Sequence, residues 1–176
     1  MKLLPPLYTR SLIIKQFSLE DVNAIFKMSR EISLRTWLPD QVYESIAETE
    51  KILHSLINQY DDPGNPKISP VVLGIFLKNS DNLIGHIGLS PQLDEVEIGY
   101  AIGEEYQGKG YASEAVAVFS DWCFQAFDLS VIYGITAAAN ESSCRVLEKS
   151  GFILINQTEK PWHNKIQSVR IYQKNN

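Results

Sequence analysis

The sequence predicts an α/β (α+β) fold in which a mixed, mostly antiparallel sheet of about six to seven strands packs against roughly four helices. Apolar runs at residues 71–77, 83–89 and 96–102 are separated by short polar turns, as expected for neighbouring antiparallel strands. A long helical pattern then leads to another apolar run at residues 131–137, and this strand–helix–strand order predicts a right-handed parallel crossover. We therefore expect one mixed sheet in a single domain that spans residues 1–176.

The first elements follow from local patterns. Residues 12–15 form the first predicted strand, and the helix after it has Ser18 as its N-cap, with Asp21 at the third helical position. A second helix fits the apolar spacing from Ile46 to Tyr60 and ends before a loop rich in Asp, Pro and Gly. The late predicted elements are a short helix from Glu141 and strands at residues 152–156 and 168–172.

The strongest helical pattern covers residues 112–127. Its apolar positions follow a three-and-four spacing: Ala112, Ala115, Val116, Phe119, Trp122, Cys123, Ala126 and Phe127. Gly108 and Gly110 precede it, and a helix start carries unpaired N–H groups and the positive end of the helix dipole. We expect an anion, above all a phosphate, to bind against this loop. A plain turn that uses glycine for positive φ is the alternative.

Three known phosphate loops compete for this segment. Gly103, Gly108 and Lys109 reproduce most of a Walker A loop, but Gly110 replaces the hydroxyl residue that binds magnesium, which disfavours a nucleotide hydrolase. The dinucleotide fingerprint fails because it requires a glycine where the chain has Ser113. The third pattern is Gln/Arg-x-x-Gly-x-Gly/Ala, and it is matched by Gln107, Gly110 and Ala112.

With this third loop, the chain resembles the GNAT superfamily of acyl-CoA-dependent N-acetyltransferases. Three further segments carry the resemblance, namely residues 9–14, 97–100 and 140–152. Within the superfamily the chain is most similar to the branch that includes the ribosomal-protein-alanine N-acetyltransferases. The order and separation of the segments agree with the family over nearly the whole chain.

The resemblance implies that acetyl-CoA is the cosubstrate and a primary amine the acceptor, without a metal. It also implies that the sheet is splayed between its fourth and fifth strands, at residues 96–102 and 131–137. The pantetheine arm would then pair with the free strand edge, while the loop amides hold the pyrophosphate. The implied cofactor-binding residues are Tyr100, Ala101, Ile102, Gln107, Gly108, Lys109, Gly110, Tyr111, Ala112, Asn140, Ser143 and Arg145.

Acyl transfer to an amine needs a base for the amine proton. Glu97 is the candidate because it lies on the cleft strand, where several family members have a glutamate. An outward-facing structural glutamate is the alternative interpretation. Glu95 lies on the same alternation face, and Glu159 is another acid from a later segment, so all three carboxylates stay open.

The departing thiolate needs a proton. Many relatives have a tyrosine seven residues after the asparagine that begins the last helix, but this chain has Leu147 there. The ribosomal-protein branch has a serine three residues after that asparagine, which corresponds to Ser143, and the resemblance implies that this serine supplies the proton. A structural role at the helix start, with Asn140 as N-cap, is the alternative.

The acceptor is the least determined part of the prediction. The family fold implies that Trp37, Leu38 and Trp162 line the acceptor side. Residues 159–163 depart from the ribosomal-protein branch, so peptide N-termini, polyamines, amino-sugars and small amines all stay open. A catalytically inactive acyl-CoA-binding domain is the competing function, and a homodimer is left open.

Composition excludes several other classes. A net charge of −5 without a basic run argues against nucleic acid as the main ligand. No apolar run is long enough to span a membrane, and the N-terminal segment is too short and proline-broken for a secretory signal, so we expect a cytoplasmic protein. The histidines His54, His86 and His163 lack metal-ligand spacing. Cys123 and Cys144 lie in helical patterns and are expected to be buried, reduced thiols.

Overall fold

The fold is organised around one open sheet of eight strands in the order β1-β2-β3-β4-β5-β6-β8-β7. The computed structural model describes residues 4–163 and 165–176, so residues 1–3 of the N-terminal segment considered above lie outside it. The strands are β1 Leu7–Tyr8, β2 Leu12–Lys15, β3 Val71–Leu77, β4 Leu83–Gln92, β5 Glu95–Ile102, β6 Val131–Ala137, β7 Ile153–Trp162 and β8 Lys165–Asn175. The helices are α1 Val22–Ser29, α2 Ile32–Trp37, α3 Ile46–Asn58, α4 Tyr111–Phe127 and α5 Glu141–Lys149.

The mixed, mostly antiparallel sheet is confirmed, because all neighbouring strands are antiparallel except β5 and β6. The structure adds two short elements to the prediction, the two-residue strand β1 and the six-residue helix α2. Both are too short for a periodic apolar pattern. The last two strands are longer than predicted and form an extended hairpin. Most of β7 is exposed, so its sequence carries no alternation of apolar and polar residues.

Helices cover both faces of the sheet. Neighbouring residues of a strand point to opposite faces, and on β5 Gly99 lines a cavity under α1, α2 and α3, whereas the Tyr100 hydroxyl reaches α5. α4 lies with α5, since Ser150 Oγ after α5 donates to the Ser113 carbonyl oxygen of α4 at 3.2 Å. Within the described residues, no helix combines the length and the apolar character needed to cross a membrane.

Local sequence explains where the first helices begin. The Ser18 N–H donates to Asp21 Oδ2 at 2.8 Å, and this bond fixes the predicted start of the first helical segment. Ser45 caps α3, since its Oγ accepts from the Glu48 N–H at 3.1 Å. Cys123 and Cys144 are buried free thiols in α4 and α5, as predicted.

The sheet is splayed between β5 and β6, as predicted. Among the described residues, these two parallel strands are in register at one pair only, Glu97 with Tyr133. β5 keeps its other edge fully paired with β4 from Glu95 to Ile102. The edge that β5 turns towards β6 is therefore open after Glu97, and it leaves a wedge between the two strands.

Candidate active site

The loop before α4 forms an open cradle of backbone amides. Gly108 and Gly110 have positive φ values of 74° and 86°, and Gly110 is the N-cap of α4 without any side-chain cap. A Cβ atom built on either glycine would meet no atom of the described chain within 4 Å. The first backbone bond of the helix runs from the Glu114 N–H to the Gly110 carbonyl oxygen. The N–H groups of the first turn therefore face an open space that suits an anion.

Two side chains of the loop fix its shape. Gln107 Nε2 donates to the Ile102 carbonyl oxygen at 2.8 Å and to Ser33 Oγ at 3.3 Å. Lys109 Nζ donates to the Glu105 carbonyl oxygen at 2.9 Å and lies 5.5 Å from the centroid of the Tyr106 ring. Gln107 thus ties the loop to β5 and α2, Lys109 bonds within the loop, and anion binding by this segment stays a prediction about its backbone amides.

The loop is also tied to α2 by two carboxylates. Glu104 Oε1 accepts from the Ser33 N–H at 2.7 Å, and Glu31 Oε2 accepts from the Glu104 N–H at 2.8 Å. Burial raises the pKa of Glu31, the hydrogen bond from the Glu104 backbone lowers it, and the Glu104 charge raises it. This connection was not predictable from the sequence pattern, because α2 is too short to give a periodic signal.

Glu97 lies where β5 and β6 begin to separate. Burial raises the pKa of its carboxyl to about 7, although the charge of Lys160 and a backbone hydrogen bond from Ile135 oppose the rise. Gln92 Nε2 donates to Glu97 Oε2 at 3.3 Å. A carboxyl with a pKa near 7 takes up and releases a proton at neutral pH, as a general base must.

The other two acids are placed differently. Glu95 lies on the same strand face, but its Oε2 is 2.8 Å from Lys67 Nζ in an ion pair. Glu159 lies on the exposed strand β7. Of the three carboxylates that the sequence left open, only Glu97 combines burial with a position at the wedge.

Ser143 and Tyr100 are hydrogen-bonded across the wedge. Asn140 caps α5, since its Oδ1 accepts from the Ser143 N–H at 3.2 Å. The Tyr100 hydroxyl is 2.8 Å from Ser143 Oγ and donates to the Ser143 carbonyl oxygen at 3.1 Å. Burial holds the pKa of Tyr100 above its ordinary value although the Ser143 hydrogen bond lowers it, so the phenol stays protonated at neutral pH.

Leu147 has a packing role. It is buried, and a Cβ atom on Gly134 of β6 would lie 2.6 Å from Leu147 Cδ2. Only glycine at position 134 lets α5 approach the strand this closely. Tyr100 was predicted as a cofactor-binding residue, and the contact between its hydroxyl and Ser143 was not predicted.

The remaining predicted residues are dispersed. Arg145 Nη2 is 2.6 Å from Glu141 Oε2 in an exposed ion pair. Leu38 packs against a small cluster that includes Met28 and Leu34. Trp162 contacts the His163 ring, with centroids 5.2 Å apart. Neither tryptophan predicted for the acceptor side lines the cavity described next, and Leu38 does not line it either.

This cavity, which we call the α1–α3 cavity, lies between the first three helices and the face of β3, β4 and β5. It has a volume of about 280 Å³, and its lining includes Leu34, Leu53, His86, Ser90 and Gly99. Ser90 is the strand partner of Glu97, and Gly99 lies two residues after Glu97 on the same face of β5. The cavity therefore ends beside the candidate base.

Comparison with known proteins agrees with this geometry. The family model described as an acetyltransferase (GNAT) domain matches residues 11–153. The chain belongs to the GNAT family. It is 30% identical over 145 residues to the uncharacterized N-acetyltransferase YnaD of Bacillus subtilis, covering 81% of this chain and 79% of that protein. This GNAT protein is therefore an acyltransferase that depends on acetyl-CoA.

Solved structures share the fold. A GNAT-family acetyltransferase from Bacillus anthracis superimposes with a TM-score of 0.83 at 21% identity, covering 97% of this chain and 98% of that one. RimL, a ribosomal L7/L12 α-N-protein acetyltransferase solved in complex with coenzyme A, gives 0.80 at 18% identity, with 97% and 98% coverage. The resemblance to the ribosomal-protein branch thus extends to the architecture.

Proposed function

We propose that this GNAT protein transfers the acetyl group of acetyl-CoA to a primary amine by direct attack, in a complex that holds both substrates. The observation that carries the proposal is Glu97, a half-buried carboxyl whose pKa is raised to about 7, located where β5 and β6 separate and where the α1–α3 cavity ends. A base, a cofactor groove and an acceptor cavity meet at this point.

Two features support the binding of acetyl-CoA. The open amide cradle around Gly108 and Gly110 suits the pyrophosphate, because it combines unpaired N–H groups with the positive end of α4. The edge of β5 that faces the wedge suits the amides of the pantetheine arm at Tyr100 and Ala101, whereas the Ile102 carbonyl oxygen already accepts from Gln107 Nε2. RimL, which shares the fold, was solved with coenzyme A.

The proposed chemistry uses two proton transfers. The amine nitrogen attacks the thioester carbonyl carbon, the C–N bond forms, the C–S bond breaks, and Glu97 takes the proton that the amine loses. Ser143 Oγ–H donates a proton to the leaving thiolate, and the Tyr100 hydroxyl, 2.8 Å from Ser143 Oγ, orients the serine. Solvent then returns a proton to Ser143 and removes the proton from Glu97.

A thiol-release assay tests the proposal. Acetyl-CoA is titrated into the protein by calorimetry and then incubated with peptides, monoamines, polyamines and aminoglycosides, while free thiol and the mass of the product are measured. We expect binding, thiol release with at least one amine, and a product heavier by one acetyl group. Binding without thiol release in every arm would instead indicate an acyl-CoA-binding domain, which ligand linkage alone would also stabilise.

A further inference from the structure

The α1–α3 cavity limits the kind of amine that the proposed reaction can use, so this inference rests on the proposed function. A volume of about 280 Å³ lies at the small end of ligand sites. Apolar side chains of all three helices enclose it, among them Ile25, Leu34 and Leu53. A ligand that fills such a space is small, and most of its contacts are apolar.

The lining of the cavity is uncharged at neutral pH. Among the described residues that form it there is no Asp, Glu, Lys or Arg. Its titratable side chains are Tyr43 and His86. Burial raises the pKa of Tyr43 and lowers that of His86 to about 4, so both are neutral at pH 7. The lining offers a second ammonium group no carboxylate, since the Glu48 charge that also raises the pKa of Tyr43 comes from outside the lining, and burying an unpaired charge is costly.

The polar side chains of the cavity are those of Ser29, Gln41, Tyr43, Thr49, His86 and Ser90. The Thr49 hydroxyl is used within its own helix, where it donates to the Ser45 carbonyl oxygen at 3.0 Å. The His86 ring makes no hydrogen bond within the part of the chain that the structure describes, and a neutral imidazole offers one donor and one acceptor. Ser90, also in the lining, lies opposite Glu97 on the neighbouring strand.

We propose that the acceptor is a primary amine with a single positive charge and a small apolar body that carries a ring. The amine lies beside Glu97 and Ser90, the body fills the α1–α3 cavity, and a polar substituent on the body reaches His86. This chemistry is shared by free ring-bearing monoamines and by a peptide whose first residue is aromatic. Polyamines and aminoglycosides do not fit it, because they carry several positive charges.

Direct binding tests the inference independently of turnover. Tyramine, phenylalanylglycinamide and spermidine are titrated by calorimetry into protein saturated with coenzyme A. We expect tyramine or phenylalanylglycinamide, whichever source the site uses, to bind about 100-fold more tightly than spermidine. Spermidine binding as tightly as the better ring amine, or no binding of either ring amine, would overturn the inference.

Two variants localise the binding. A Cβ atom on Gly99 would meet no atom within 4 Å, so Gly99→Leu directs a side chain into the cavity and should weaken binding of the better ring amine about tenfold. Gln41→Glu adds a negative charge to the lining and should improve spermidine binding, whereas the same change at the exposed Gln125 of α4 should not. An unchanged affinity for the ring amine in Gly99→Leu would contradict the placement of the acceptor in the cavity. Should that variant not fold, an unchanged affinity for spermidine in Gln41→Glu would contradict it.

Turnover separates the two proposals. Thiol release with tyramine or phenylalanylglycinamide well above that with spermidine supports both of them. A ring amine that binds in the cavity without releasing thiol would refute the transfer reaction and leave the cavity assignment standing. Efficient acetylation of spermidine in preference to both ring amines would refute the cavity assignment and leave the transfer reaction standing.

Discussion

The substitution Glu97→Gln is expected to change activity and stability in opposite directions. Burial raises the pKa of Glu97 from 4.5 to about 7, so the folded protein binds this proton more tightly than the unfolded chain does. The stabilisation is complete below pH 4.5 and is lost as the pH rises through 7. Each pH unit in this interval changes the free energy of unfolding by about 1.4 kcal/mol, so the wild type loses roughly 3 kcal/mol of stability across it.

Glutamine does not titrate and keeps the neutral state at every pH. We therefore expect the free energy of unfolding of Glu97→Gln, relative to the wild type, to rise by about 2 to 3 kcal/mol between pH 5 and pH 8. Urea unfolding at the two pH values measures this difference. Glu20→Gln, at an exposed position, is the matched control and should show no such change.

The same substitution should lower kcat/KM by about 10²- to 10⁴-fold at pH 8, because it removes the proposed base. The wild-type rate should rise with pH and level off above about pH 7, where Glu97 is ionised. When the wild type and Glu97→Gln are assayed with the same acceptor amine, the ionisation of that amine affects both rates equally. A variant with wild-type kcat/KM and pH profile, or with the same stability difference at pH 5 and pH 8, would refute the reasoning about Glu97.

Three further predictions concern the rest of the site. Gly110→Ala should weaken coenzyme A binding about tenfold and lower the free energy of unfolding by about 1 kcal/mol. Gly64→Ala, also at positive φ, should lower stability alone. Equal calorimetric Kd values for the two variants would contradict coenzyme A binding by the loop before α4. Ser143→Ala and Tyr100→Phe should each lower kcat with little change in the Kd of acetyl-CoA. Because the two hydroxyls form one hydrogen-bonded pair, a double-mutant cycle should show that the losses are not additive. Fully additive losses would mean that the two residues have separate roles. Glu104→Ala should speed hydrogen exchange at the start of α2, where Ser33 loses its acceptor, and unchanged exchange would show that this contact does not hold α2.

The sequence was most informative where long patterns or special residues determine the backbone. The helix at residues 112–127 and its preceding glycines were predictable because periodicity and positive φ are local properties. The approach of Tyr100 to Ser143, 43 residues later, depends on the packing of α5 against the sheet and has no local signal. The cavity around His86 is likewise formed by elements that are far apart in the sequence.

The splay of the sheet gives the proposed reaction a physical passage. Glu97 and Gly99 lie on the face of the sheet that α1, α2 and α3 cover. The next residue of β5, Tyr100, has its hydroxyl on the other face, at α5. In a continuous sheet the hydrogen-bonded backbone would separate Glu97 from the hydroxyls of Tyr100 and Ser143. Because β5 and β6 are in register only at Glu97 and Tyr133, the backbone opens next to the base. An amine from one face can therefore meet a thioester that lies along the open strand, with its leaving sulfur towards the other face.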